Sequence, residues 1–118
     1  MNRVALLRIG AGFCFLAVAL GAFGAHALKA KLEANGMLDA WNKAVLYHFL
    51  HAMALVALAL YGASNRASYF LLVAGIVLFS GSLYTMALAN VRWLGALTPL
   101  GGLCFLAGWA WLVIAPKV

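Results

Sequence analysis

The run Ala67–Val91, ASYFLLVAGIVLFSGSLYTMALANV, contains 25 residues and no charged side chain. At about 1.5 Å per helical residue, this length crosses the roughly 30 Å hydrocarbon core of a bilayer. Its centre, LFSGSLYT at Leu78–Thr85, nevertheless carries hydroxyl groups and a glycine. Because hydrocarbon offers such groups no hydrogen-bond partner, they must face protein. The run therefore predicts a transmembrane helix whose polar face is covered by neighbouring helices.

The composition of the whole chain also indicates a membrane protein. Of its 118 residues, 68% are hydrophobic and 8% are charged, whereas soluble domains carry about 25% charged residues. Such a chain cannot cover a water-facing surface. The net charge of +6 comes from basic residues that punctuate apolar runs, so we expect the lipid bilayer as a partner and no nucleic acid.

The charged residues bound four apolar runs of 20, 22, 25 and 24 residues. Each run has the length of one transmembrane helix, which predicts spans at about 5–27, 41–62, 68–90 and 98–115. The short polar turn at 63–66 makes the second and third spans antiparallel neighbours. The fold class is therefore an all-α membrane protein, an antiparallel bundle of four transmembrane helices forming a single domain over residues 1–118.

The first span has an alternative interpretation as a signal peptide. Basic residues precede it, and Ala25-His26-Ala27 resembles a cleavage site. We favour a retained helix, because Ala17, Gly21 and Ala25 recur every four residues, a spacing typical of close helix packing.

The loop between the first two spans, 28–43, is predicted to contain a short interfacial helix. Leu28 and Leu32 lie on one helical face, and Gly36 is a suitable stop signal. Asp39 is expected to cap the second span, with Trp41 at the membrane interface.

Polar side chains of all four spans are expected in one half of the membrane. With the middle of each run as the bilayer centre, they lie on the side of the long loop, up to about 10 Å from the midplane. Spacing by four residues places Tyr47 with His51, and Ser80 with Tyr84. We predict a hydrogen-bonded layer centred on His51 and Tyr84, whose members are His26, Tyr47, His51, Ser80, Ser82, Tyr84, Thr85 and Thr98.

A second set of residues is small and is expected to let helices approach one another closely. Its members are Gly21, Gly24, Ala25, Gly81, Gly101, Gly102 and Gly108. At the start of the fourth span, Thr98-Pro99 predicts a helix N-cap followed by proline in the first turn.

Ionisable residues at membrane depth are candidates for function. His48 and His51, with His26 as a third ligand, offer imidazole nitrogens for a metal, but no nearby carboxylate or cysteine completes the set. We therefore expect no metal and no cofactor. The two carboxylates of the chain, Glu33 and Asp39, lie in the loop. This placement disfavours carboxylate-pair chemistry and a hydrolase triad, and we expect no enzyme activity.

Three motifs carry a resemblance to a known family. They are GAFGAHALK at 21–29, LFSGSLY at 78–84, and TPLGG at 98–102 with Gly108-Trp109. In this order they resemble the YgdD-like inner-membrane proteins, catalogued as domain of unknown function 423 and similar to eukaryotic transmembrane protein 256. The second-span pattern of that family is matched by Trp41, Ala44-Val45, Tyr47 and His51.

The resemblance implies a small four-span membrane protein and brings no established activity. Two residues depart from the family pattern, Lys43 and His48. The resemblance therefore favours His26 and His51 over His48 as functional candidates.

Three hypotheses of function follow. The first is a non-enzymatic integral protein that acts by helix packing, as a homo-oligomer or as an accessory subunit of a larger membrane complex. The second is a small transporter or proton-conducting protein that uses the layer around His51 and Tyr84. The third is a membrane enzyme or an accessory subunit at a quinone site.

We expect a multi-pass protein of the bacterial inner membrane. Arg3, Arg8, Arg66 and Lys117 flank one side, and the other four basic residues flank the opposite side. This tie leaves the N-terminal amine as the extra positive charge, which favours termini in the cytoplasm.

Overall fold

The structure, a computed structural model, describes residues 2–61 and 65–117, and every regular element within these ranges is a helix. The chain forms α1 (Arg3–Ala25), α2 (Lys29–Ala34), α3 (Leu38–Tyr61), α4 (Arg66–Gly75), a π-helical turn (Ile76–Ser80), α5 (Gly81–Ala89), a 3₁₀ turn (Arg92–Ala96) and α6 (Thr98–Ile114).

Four helical segments are long and apolar enough to cross a membrane. They are Arg3–Ala25, Leu38–Tyr61, Arg66–Ala89 and Arg92–Ile114, and the third combines α4, the π turn and α5. The all-α, four-span fold class is thus confirmed. The fourth segment begins at Arg92, six residues before the predicted start, because it includes the 3₁₀ turn. The predicted end of the second span at Gly62 and the turn residues Ala63 and Ser64 lie outside the described residues.

The second and third spans form the middle of the bundle. Consecutive spans pack on one another: α1 lies along α3, α3 contacts the π turn and α5, and α4 lies along α6. In the most apolar window of each span, 33% and 39% of the residues are buried in the second and third spans, against 17% in the first and fourth. The outer faces of α1 and α6 are therefore the ones left for lipid or another chain.

Polar side chains form hydrogen bonds between chain segments at both ends of the bundle. At the end that carries the termini, Asn65 exchanges two hydrogen bonds of 2.9 Å with the backbone of Lys117. Arg3 donates to the carbonyls of Ala59 and Leu60 at the end of α3. These carbonyls belong to the last helical turn, which lacks intrahelical donors, so the guanidinium satisfies them.

At the opposite end, the amide of Asn35 donates to the carbonyl of Ala87 over 2.9 Å, and Arg92 donates to the carbonyl of Asn35 over 3.2 Å. The loop between α1 and α3 is thereby tied to the end of the third span.

The predicted loop helix is present as α2, and Leu32 on its inner face is fully buried. Gly36 follows its C-cap residue with φ of +66°, the left-handed conformation that glycine adopts without strain. Two other end signals were read wrongly. Leu38 begins α3, so Asp39 lies in the first turn rather than at the cap, and Thr98 begins α6 without a capping hydrogen bond.

The π turn interrupts a helix that the sequence predicts as continuous. In it, the backbone N–H of Gly81 bonds the carbonyl of Ile76, five residues earlier. A π turn inserts one extra residue into an α-helix and is frequent at functional sites. The π turn overlaps the first residues of the Leu78–Thr85 segment, the polar centre of the third span.

Candidate functional site

The π turn packs between α3 on one side and α6 on the other. Towards α3, the fully buried hydroxyl of Ser80 donates to the carbonyl of Ala44 over 2.7 Å. Towards α6, Gly101 faces the backbone of Phe79 so closely that an added Cβ would lie 2.7 Å from the Phe79 Cα. The third span is therefore held on both sides at the level of its irregular turn.

Glycines make several of the other close helix contacts. A Cβ on Gly24 would lie 2.5 Å from Cδ1 of Trp41, and one on Gly108 would lie 2.8 Å from Cδ2 of Leu72. A Cβ on Gly21 would meet the Val45 side chain at 3.2 Å. Gly75 was not among the predicted packing residues. A Cβ on Gly75 would lie 2.5 Å from Cε1 of Phe105.

Three of the predicted packing residues make no such contact. A Cβ on Gly81 or Gly102 would meet no atom within 4 Å, and Ala25 is exposed at the end of α1. Within the described residues, Gly81 and Gly102 therefore do not face another helix closely. A glycine in an apolar helix does not by itself show which direction its open face points.

His51 lies against α6, near the middle of the second span. It is 8% exposed, and its ring stacks on that of Phe105 with centroids 3.7 Å apart. The indole N–H of Trp109 donates to Nε2 of His51 over 3.0 Å. Because an indole nitrogen only donates, Nε2 is the acceptor, and the proton on Nδ1 goes to the carbonyl of Tyr47 at 2.7 Å. Both ring nitrogens of this neutral histidine are thus occupied.

His48, rather than His51, is the partner of Tyr84. The Tyr84 hydroxyl lies 2.8 Å from Nδ1 of His48, which is 3% exposed. The ring of Phe13 in α1 lies edge-on to His48, with centroids 6.0 Å apart. The other nitrogen, Nε2, is buried, and none of the described residues lies within hydrogen-bond distance and geometry of it. The expected layer centred on His51 and Tyr84 is therefore corrected: the two residues belong to separate groups.

The rotation of α3 causes this separation. Residues three apart on a helix point in directions about 60° apart, enough for His48 to face α1 and α5 while His51 faces α6. Within residues 2–61 and 65–117, no three His, Cys, Asp or Glu side chains come together as a potential metal site. The i, i+3 histidine pair does not form a shared set of ligands.

The remaining predicted residues are divided between the interior and the surface. Thr98 bonds Ser82 across two helices at 2.7 Å, and Ser82 in turn donates to the carbonyl of Phe79 over 2.9 Å. Thr85 is exposed and donates within its own helix to the carbonyl of Gly81. His26 and Tyr47 are exposed as well, so the structure does not bring them into a common buried layer.

Two tryptophans were missed as site residues: Trp41 was expected at the membrane interface, and Trp109 was noted within a family motif. Trp41 is fully buried, and its indole N–H donates to the carbonyl of Leu20 over 3.0 Å. Its ring lies 4.8 Å from that of Tyr84. Trp109 bonds His51. The proximity of Gly24 to Trp41 in space, which is not visible as a sequence pattern, explains why the large ring fits inside.

The hydrogen bond between Ser82 and Thr98 is expected to contribute measurably to stability. In a double-mutant cycle of Ser82→Ala and Thr98→Val, we expect a coupling free energy of about 0.6–1.7 kcal/mol, the range of interhelical bonds in membranes. Unfolding in mixed micelles, followed by circular dichroism, measures it. Thr85→Val is the matched control, since its hydroxyl bonds only its own helix, and it should not couple to Thr98→Val. Coupling near zero for both pairs would contradict the assignment.

Comparison with known proteins adds the family context. The family model described as "Protein of unknown function (DUF423)" matches residues 20–102. A UPF0382 membrane protein of Staphylococcus saprophyticus is 44% identical over 110 residues, covering 90% of this chain and 91% of that protein. The UPF0382 membrane protein YwdK of Bacillus subtilis is 42% identical over 113 residues, covering 91% of each chain. No solved structure matches the chain.

Proposed function

The chain belongs to the DUF423 family of membrane proteins, and from that premise we propose that it acts without catalysis, through helix packing with a second copy or with a larger membrane complex. We place it in the bacterial inner membrane with both termini in the cytoplasm.

The observation that carries this proposal is the pairing of polar groups inside the bundle. Ser80, Trp41 and Tyr69 each donate to a backbone carbonyl of another span, and Thr98 bonds Ser82. Interhelical hydrogen bonds of this kind specify helix packing in membranes. Side chains engaged in this way are not free to bind a solute, which supports a structural role for them.

The uncovered outer faces support the second part of the proposal. Val18 on α1 is 62% exposed and Val113 on α6 is 83% exposed. In an apolar bilayer these faces contact lipid or the helices of another chain. An oligomer or a complex would cover one of them.

Cysteine cross-linking in native membranes tests the proposal. In a background that replaces Cys14 and Cys104 with alanine, single cysteines at Val18 and at Val113 report on the two outer faces. We expect one of the two variants to form a cross-linked dimer, or an adduct with a partner that co-purifies in lipid nanodiscs. A cysteine at the buried Ala59 serves as the negative control. If neither face cross-links and the protein purifies alone as a monomer, the proposal is wrong.

A second candidate, proton or solute conduction, is supported by one observation. Nδ1 of His48 lies 2.8 Å from the hydroxyl of Tyr84, and the buried Nε2 of the same ring has no hydrogen-bond partner in the part of the chain that the structure describes. Proton flux into liposomes that contain the purified protein tests this alternative. Conduction predicts that flux is lost in His48→Ala and kept in Phe15→Ala, which alters an exposed side chain on α1. Absence of flux in the wild-type protein contradicts it.

A further inference from the structure

An apolar groove of about 580 Å³ lies between α3, the π turn and α6. Its wall is formed mainly by ring-bearing side chains and one glycine: Tyr47, His51, Phe79, Gly102, Phe105 and Trp109. This volume falls within the range of about 300–1,000 Å³ that is typical of small-molecule sites. The groove is distinct from the buried group of His48, Tyr84 and Trp41.

The wall of the groove carries no charged residue. His51 is the imidazole among the described lining residues, and its two nitrogens are hydrogen-bonded to Trp109 and to the carbonyl of Tyr47. A phospholipid head group, which carries a charged phosphate, therefore finds no counter-charge here, whereas a neutral ligand loses no ionic interaction on entering. The lining selects for an uncharged occupant.

The rings of Tyr47, Phe79 and Phe105 in the wall meet one another at steep angles. Tyr47 and Phe79 meet edge-on with centroids 4.8 Å apart, and Phe79 and Phe105 are tilted at 5.6 Å. Aromatic surfaces of this kind pack well against another flat ring, with an energy beyond that of area burial alone. A flexible acyl chain has no ring and would not gain this additional packing energy.

The hydroxyl of Tyr47 is the polar group of the groove wall for which the described residues provide no hydrogen-bond partner. Every other polar hydrogen of the groove wall has a partner within the described residues, but none of the hydrogen bonds found there includes this hydroxyl. With the middle of the uncharged run 44–65 as the bilayer centre, the Cα of Tyr47 lies about 10 Å from the midplane, within the roughly 15 Å half-thickness of the hydrocarbon core. Hydrocarbon at this depth offers no hydrogen-bonding group, and a ligand carbonyl would supply one.

We propose that this groove binds a neutral lipid whose head is a flat ring bearing carbonyl oxygens, the chemical class of the isoprenoid quinones. The ring packs against Tyr47 and Phe79, and a carbonyl accepts from the Tyr47 hydroxyl. The apolar tail leaves past Leu103 and Leu106, which line the groove and are 61% and 67% exposed.

Gly102 provides a direct test, because it lines the groove and a Cβ added there meets no atom within 4 Å, so that a larger side chain extends into the groove. The probe is a photoactivatable benzoquinone with a decyl tail, applied to the purified protein in lipid nanodiscs. We expect saturable labelling of α3 or α6 peptides that Gly102→Leu weakens by about tenfold or more. Gly12→Leu is the matched control, since Gly12 also faces open space but lies on α1, and it should label as the wild type does.

Tyr47→Phe separates recognition of the ring from retention of the tail. Losing one hydrogen bond should weaken competition by unlabelled decylbenzoquinone by roughly five- to tenfold, and it should leave competition by decylbenzene unchanged. If Gly102→Leu fails to fold, Gly102→Ala and Tyr47→Phe carry the test. The proposal is overturned if labelling does not saturate, if Gly102→Leu labels like Gly12→Leu, or if decylbenzene competes as well as the quinone, which would show a site for acyl chains only.

Discussion

Gly101→Ala is expected to destabilise the bundle by about 2–3 kcal/mol, the upper range for overpacking in a well-packed interior. The added methyl would lie 2.7 Å from both Cα and Cβ of Phe79. The obstacle is backbone, which cannot rotate away as the end of a flexible side chain does. Relief requires α6 to move away from the π turn, and this movement weakens the neighbouring bond between Thr98 and Ser82.

Unfolding of the purified protein in mixed micelles measures this effect, and the next residue supplies the control. Gly102→Ala adds the same methyl in the same helix, but into open space. Because alanine is a better helix former than glycine by up to about 1 kcal/mol, this variant should be as stable as the wild type or slightly more stable. Equal loss of stability in both variants would contradict the contact between Gly101 and the π turn.

Trp41→Ala is expected to cost about 3–5 kcal/mol, the range for removing a large buried aromatic side chain. The ring is fully buried, lies against Gly24 and Tyr84, and donates to the carbonyl of Leu20. Truncation leaves a cavity where α1, α3 and α5 meet. The same unfolding measurement applies, with Trp93→Ala as the control, since that ring is 69% exposed and should change stability by no more than about 0.5 kcal/mol.

A pair of variants tests whether Gly24 acts through Trp41. Alanine at position 24 would place a methyl 2.5 Å from Cδ1 of the indole. Gly24→Ala should therefore destabilise the wild-type protein and do so far less in a Trp41→Ala background. Effects that add without coupling would show that the glycine is required for another reason.

The four-span architecture could be read from residue order because the bilayer sets a fixed length. Runs of 20 to 25 uncharged residues leave room for one span each, and the four helical segments found correspond to these four runs, with a π turn inside the third. The loop helix was equally accessible, since Leu28, Leu32 and Gly36 are local signals. The family could also be recognised from the motifs, and the DUF423 match confirms it.

The candidate site was predicted less well, for reasons visible at particular residues. Periodicity shows which side chains lie near one another on one helix, but not how that helix is rotated against its neighbours. Tyr84 was therefore paired with His51 although it bonds His48. Similarly, Gly101 and Gly102 are indistinguishable in sequence, and yet only the first faces a backbone.

The segment Leu78–Thr85 shows which properties follow from the sequence and which follow only from the tertiary structure. Its order of residues by itself determined that a membrane helix carries hydroxyl groups that must find partners inside the protein, because hydrocarbon provides none. Only the tertiary structure decided that Ile76–Ser80 forms a π turn and that Ser80 donates to the carbonyl of Ala44. It also placed Gly101, which has no side chain, against the backbone of this turn. A π turn is rare and is not favoured over the α winding by local preference. The physical reason for the choice therefore lies in the packing of α3 and α6 on either side of the turn.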